Sequence, residues 1–156
     1  MSTSTNGVIS FGVVCEEDTV FPWDESPFDG DIDVWWRHEN GYVPIYEPFT
    51  SDGDFAEGWT ENDKRFTEYY EHGRRWEDEH PLPVELVNYC SASVPMHIIS
   101  LPDVGTSCRR GYPREFIPAE LTVTDEQVDS LLSFLEKYKI ESDSNPRWLL
   151  TSYWGV

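Results

Sequence analysis

Along the chain the spacing of apolar positions changes several times, and each change marks an element. In VISFGVV (8–14), Ile9, Phe11 and Val13 alternate with their neighbours, the period-two pattern of a strand. From residue 15 to about 60 no period is sustained, and Pro22, Pro27, Pro44 and Pro48 interrupt the run. One short helix is predicted there, over 31–39, because Ile32, Trp35 and Trp36 fall at i, i+3 and i+4. Asp29 or Asp31 is placed to cap it, and Asp33 and Arg37 are spaced to pair on its outer side.

A second helix is predicted over 61–80, with Phe66, Tyr69, Tyr70, Gly73 and Trp76 in one stripe and Pro81 as the stop. The pairs Glu61/Arg65, Glu71/Arg75 and Arg74/Asp78 have ion-pair spacing, and Gly73 reads as a packing glycine that admits another backbone. VELVNYCS (84–91) and PMHIISL (95–101) predict a hairpin, followed by a long loop over 102–118. In TVTDEQVDSLLSFLEKYK the hydroxyl of Thr124 and the side chain of Gln127 form a capping box, ahead of the stripe Val128, Leu131, Leu132, Leu135 and Tyr138. RWLLTSYW (147–154) is apolar on both faces and predicts a strand interior to the sheet. The order β, α, α, β, β, α, β gives an α+β fold: a mostly antiparallel sheet of about four strands packed by two main helices, with long aromatic-rich loops.

A chain of 156 residues is the size of one ordinary domain, expected over 1–156. Residues 15–60 are acidic and largely irregular, and ten aromatics from Phe21 to Trp59 are expected to pin them to the body. No stretch reaches the roughly 18 apolar residues of a membrane span, and MSTSTNG lacks the basic and apolar regions of a secretory signal. Cys15, Cys90 and Cys108 form no Cys-x-x-Cys pair and no disulfide framework, which suits a reducing compartment. The expectation is a cytoplasmic protein without a membrane partner.

Net charge changes the picture most. At −19 the chain repels nucleic acid directly and speeds encounter with basic surfaces. Of its 30 acids, 13 lie in residues 1–58, against one of its 11 bases. They include Glu16, Glu17, Asp18, Asp24, Glu25, Asp29, Asp31, Asp33, Asp52 and Asp54, the candidate partner-binding residues. Carboxylates held on a folded surface at phosphate-like spacing can fill the basic groove of a nucleic-acid-binding protein; the same residues also serve as a solubilising surface.

Other chemistry is weakly signalled. Asp29, Asp31 and Asp33 resemble the start of a calcium loop, but counting from Asp29, position 6 is Val34 rather than Gly and position 12 is Asn40 rather than Glu. Glu68, His72 and His80 lie at helical spacing and could ligate a metal, or simply form a solvated helix face, while His97 reads as a satisfied core residue. No Gly-x-Ser-x-Gly elbow, phosphate loop or His-Glu-x-x-His helix occurs, and the cysteines could be nucleophiles only beside a histidine brought close by the fold. CRRGYPR (108–114) could bind phosphate or carboxylate, but pairing with the N-terminal acids is the expected use. No catalytic residue, metal or cofactor is assigned.

TNGVISFGV, WDE, DIDVWW, PLPVELVNYCS, TVTDEQV and TSYWGV together resemble, over the whole chain, small acidic accessory proteins encoded by bacteriophages and prophages. The resemblance implies action in the cytoplasm of a bacterial host and transfers no site residues. It points to a non-enzymatic inhibitor of host machinery, of the anti-CRISPR or anti-restriction kind, docking on a basic nucleic-acid-binding protein. The alternatives are a small enzyme or ligand sequesterer acting on a host defence signal, and a virion or assembly component.

Overall fold

The strand predicted over 8–14 begins four residues earlier and ends where predicted: β1 runs Ser4–Val14. The computed structural model describes residues 4–50, 54–60, 63–91, 95–142 and 145–155; Asp52 and Glu61 lie outside them. Both edges of β1 are taken by antiparallel neighbours, β3 (Pro95–Arg109) on one side and β4 (Arg147–Gly155) on the other. Strand β2 (Glu85–Ser91) is antiparallel to β3 and meets β4 in parallel at Cys90↔Tyr153 and Ser91↔Trp154. The order β1-β3-β2-β4 is therefore a closed barrel, in which no strand keeps a free edge along its whole length. With three α-helices and a sheet antiparallel except at that short contact, the fold is α+β.

The chain divides into two compact units, one made of residues 1–30 with 83–156 and one of Asp31–Leu82 inserted between them. In the first, Val13, Val87, Ile98, Ile99 and Leu101 form the strand side of the core, and Ile98 and Ile99 are both fully buried although they point to opposite faces of β3. The expected loop over 102–118 begins instead as strand. Ser10 pairs with Gly105 and Gly12 with Ser100, so Phe11 alone stands opposite four residues, 101–104, and β3 bulges before pairing resumes as far as Asn6↔Arg109. The PDVG sequence that reads as a strand end is a kink within one, with Asp103 at φ 57° and Gly105 at φ 136°. At the crossing the backbones touch: a β-carbon on Gly12 would overlap the Ile99 carbonyl oxygen and stand 2.7 Å from Ser100 Cα. Residues 110–117 follow as exposed chain, then a short 3₁₀ turn at Pro118–Glu120.

Helix α3 (Asp125–Tyr138) packs on β3, and its capping box is formed: Gln127 N donates to Thr124 Oγ1 at 3.3 Å and Thr124 N to Gln127 Oε1 at 2.9 Å. The buried face is Leu131, Phe134 and Leu135; Leu132, expected in the stripe, is 42% exposed. The face is thus rotated toward Phe134 by one position. Strand β4 has a neighbour on each side, yet Leu150 is 78% exposed, so its two apolar faces are not both covered.

The inserted unit is held by rings and guanidinium groups. Its helices are α1 (Ile32–Glu39), capped by Asp31, whose Oδ1 accepts from Asp33 N and Val34 N, and α2 (Lys64–Glu79), capped by Asp63. Trp36 Nε1 donates to the His80 carbonyl at 2.9 Å, and Arg37 grips Glu77 Oε1 through Nε and Nη2. Arg37 therefore pairs across to α2 rather than with Asp33 on its own helix. Burial, then Asp31 and Glu77, push the Asp33 carboxyl up. Gly73 is buried, but the groups that use its missing side chain are the Tyr42 hydroxyl and the Arg37 guanidinium, not a backbone. Among the described residues neither Glu71/Arg75 nor Arg74/Asp78 forms an ion pair; Lys64–Glu68 at 3.0 Å and Asp63–Arg65 at 2.7 Å do.

Three outcomes are expected. Gly12→Ala should destabilise the protein by at least about 3 kcal/mol in denaturant titration, since backbone rather than a movable side chain occupies the space. Thr124→Ala should cost about 1 kcal/mol through loss of the α3 cap. Hydrogen bonds from the Arg65 side chain and backbone lower the Asp63 carboxyl to about 2, below its ordinary 3.8. Its charge therefore stabilises the fold fully above about pH 4 and ceases to do so as the pH falls through 2. The stability gap between wild type and Asp63→Asn should narrow over that window; a constant gap would show that the charge plays no part.

Candidate functional site

Two kinds of site are present, an acidic surface and a pair of cavities. Glu16, Glu17 and Asp18 follow β1 in a turn closed by Thr19 N donating to the Glu16 carbonyl at 3.1 Å, and all three are exposed. The turn stands on buried rings: Phe21 stacks on Trp23 at 4.9 Å, and His97 meets the edge of Phe21 at 5.4 Å. Asp24 is exposed while its Oδ2 accepts Phe21 N at 2.8 Å; Glu25 and Asp29 are exposed on the turn that leads back to Trp23. These six carboxylates belong to the barrel unit. Asp31, Asp33 and Asp54 are exposed in the inserted unit, and Asp52 lies outside the described residues.

The ion pairs decide how this charge is used. Among the described residues Arg37, Lys64 and Arg65 pair with Glu77, Glu68 and Asp63, and His38 Nδ1 lies 3.9 Å from Glu39 Oε1, all within the inserted unit. None involves Glu16, Glu17, Asp18, Asp24, Glu25, Asp29, Asp31, Asp33 or Asp54. The expected pairing of the CRRGYPR loop with the N-terminal acids is not formed by Arg109 or Arg114 among the described residues. Arg109 is carried on β3 opposite Asn6, and Arg114 turns back so that Nη1 donates to the Ser107 carbonyl at 3.4 Å. Extension of β3 through the segment read as loop is the reason.

The candidate ligands on α2 do not converge. Glu68 accepts from Tyr46 and pairs with Lys64, whose bond is the main cause of its lowered carboxyl; His72 Nε2 lies 3.2 Å from the Val43 carbonyl; His80 stacks on Trp76 at 4.5 Å. No group of three His, Cys, Asp or Glu able to hold a metal occurs among the described residues. His97 Nδ1 lies 2.8 Å from Asn88 Oδ1, and of the cysteines Cys15 is buried while Cys90 and Cys108 are exposed.

What the sequence pattern misses is the space opened by the bulge. A cavity of about 330 Å³ lies between β1, β2 and β3, with Ser10, Glu85, Asp103, Thr106 and Arg114 in its lining. From sequence Glu85 falls in a run predicted as one arm of a hairpin and Asp103 in a segment predicted as loop, so neither stands out. Burial, then the Asp103 charge, push the Glu85 carboxyl up. Ser10 is 4% exposed, and neither its Oγ nor Thr106 Oγ1 has a hydrogen-bond partner among the described residues. A second cavity of about 290 Å³, in the inserted unit, is lined by Tyr42, Phe49, Tyr69 and Tyr70 with Arg37 and Arg74.

Comparison of the chain with protein-family models, with curated proteins and with solved structures gives no match.

Proposed function

We propose that this is a non-enzymatic binding protein that docks its acidic surface on a basic, nucleic-acid-binding protein of a bacterial host, occupying the groove where a phosphate backbone would lie. The observation that supports the reading is the absence of internal compensation. Nine candidate carboxylates are exposed and make no ion pair among the described residues, in a chain of charge −19. Charges that only shaped the fold would be expected to meet the chain's own bases, as Asp63 and Glu77 do. Carboxylates on turns braced by Phe21 and Trp23 are also ordered before contact, which lowers the entropy lost on binding. Long-range attraction of this kind raises the association rate and weakens as salt screens it.

A second reading, a protein that sequesters a small molecule, draws support from the two cavities. The two readings differ in their response to salt, because contacts within a recessed site depend less on long-range charge than docking through an open charged face.

In an affinity pull-down from bacterial lysate, the captured protein should itself bind nucleic acid, be displaced by duplex DNA, and be lost when salt is raised. The triple variant Glu16→Lys, Glu17→Lys, Asp18→Lys removes no described side-chain bond and should keep the fold, yet lower affinity for that protein at low salt by about a hundredfold or more. Capture that persists at high salt, or a folded triple variant that binds as tightly as wild type, would exclude docking through this turn.

A further inference from the structure

We propose that the cavity at the β3 bulge is a binding site for a primary ammonium group, held between the carboxylates of Glu85 and Asp103 with the buried hydroxyl of Ser10 as a further acceptor. Three independent features of the site converge on this chemistry.

The first is charge. The cavity holds two carboxylates and one guanidinium, so it carries one uncompensated negative charge when both acids are ionised. Asp103, not Arg114, is the charge that acts on Glu85. The two acids thus repel one another without a cation between them, and an entering ammonium removes that repulsion. Arg114 is turned toward the Ser107 carbonyl.

The second is hydrogen bonding. An ammonium has three N–H donors and no acceptor, so it needs three acceptors around one point. Two carboxylates and a hydroxyl oxygen supply them. Ser10 is 4% exposed and lines this cavity, and its hydroxyl has no partner among the described residues, which is the costly condition of a buried polar group that a ligand relieves. An apolar ligand would leave it unsatisfied, and an anion would meet Glu85 and Asp103. No group of three His, Cys, Asp or Glu able to hold a metal ion lies there among the described residues.

The third is shape. At about 330 Å³ the cavity falls at the small end of the range of about 300–1,000 Å³ for small-molecule sites. Val8, Val87 and Val104 in the lining give an apolar wall for a methylene chain behind the ammonium. The charge of −19 raises the local concentration of any cation near the entrance. Two sources carry this group, a free aliphatic amine and the end of a lysine side chain.

The test follows amide chemical shifts of the intact chain during titration with 1,4-diaminobutane, with Nα-acetyl-lysine N-methylamide, with tetramethylammonium chloride and with magnesium chloride. At least one of the two primary amines should saturate and move the amides of residues 103–107, and the stronger of the two identifies the source. Tetramethylammonium, which has the charge without the N–H groups, should not. Glu85→Gln and Asp103→Asn should each weaken amine binding tenfold or more. Both keep shape, and asparagine accepts the positive φ of residue 103, so their amide spectra should show the native fold. Ser10→Ala should weaken binding several-fold while leaving the fold intact. The proposal is overturned if neither amine saturates and the cavity holds water only, if tetramethylammonium or magnesium matches the amines, or if folded Glu85→Gln and Asp103→Asn bind as wild type does.

Discussion

The backbone contact between β1 and β3 at Gly12 governs the barrel unit. Four strands make a narrow ring, and closing it brings β1 so near Ile99 and Ser100 that no β-carbon fits at residue 12. Gly105 meets the same limit against Ile9, with Ile9 C only 3.1 Å from where its β-carbon would stand. Between the two contacts β3 has four residues where β1 has one, and the excess is pushed outward as the bulge. The bulge then opens the space lined by Ser10, Glu85 and Asp103. Closure, bulge and cavity are one geometric event, and each fails if a side chain is added at the crossing.

Charge is distributed by a different rule in each unit. Among its described residues the inserted unit has few buried side chains, chiefly Trp35 and Trp59, and it uses its bases as fasteners: Arg37 joins Glu77 and lies 5.2 Å from the Tyr42 ring, and Arg65 joins Asp63 and Gly58 and lies 4.9 Å from the Trp59 ring. The barrel unit is held by aliphatic and aromatic burial, and among the described residues Glu16, Glu17, Asp18, Asp24, Glu25 and Asp29 form no ion pair.

Local signals were legible where the cause is local. The Thr124–Gln127 box and the period-two run of β1 depend on residues a few positions apart and are read correctly, while the α1 cap is narrowed by sequence to Asp29 or Asp31 and is Asp31. The acidic turns were legible too, because exposure of a charged loop is the default. What was not legible depends on distant pairing. PDVG carries the chemistry of a turn, and only register against Ser10 and Gly12 makes it a bulge inside a strand. Glu85 and Asp103, eighteen positions apart, come into electrostatic contact only because β2 and β3 form a hairpin. Arg37 looked committed to Asp33 by spacing, but Glu77, forty residues away, offers the better geometry.

The pairing of β1 with β4 has a consequence for how the protein comes into being. Ser4 faces Gly155 and Gly12 faces Arg147, so one edge of β1 finds its partner only once residues 147–155 have been made. At ordinary synthesis rates that wait is on the order of 10 s. During it, VISFGVV is an unpaired apolar strand of the kind that joins other chains edge to edge. The acids that follow at once, Glu16, Glu17 and Asp18, put like charge beside that edge and keep nascent copies apart. The same turn that faces outward in the finished molecule thereby guards the strand before the ring can close.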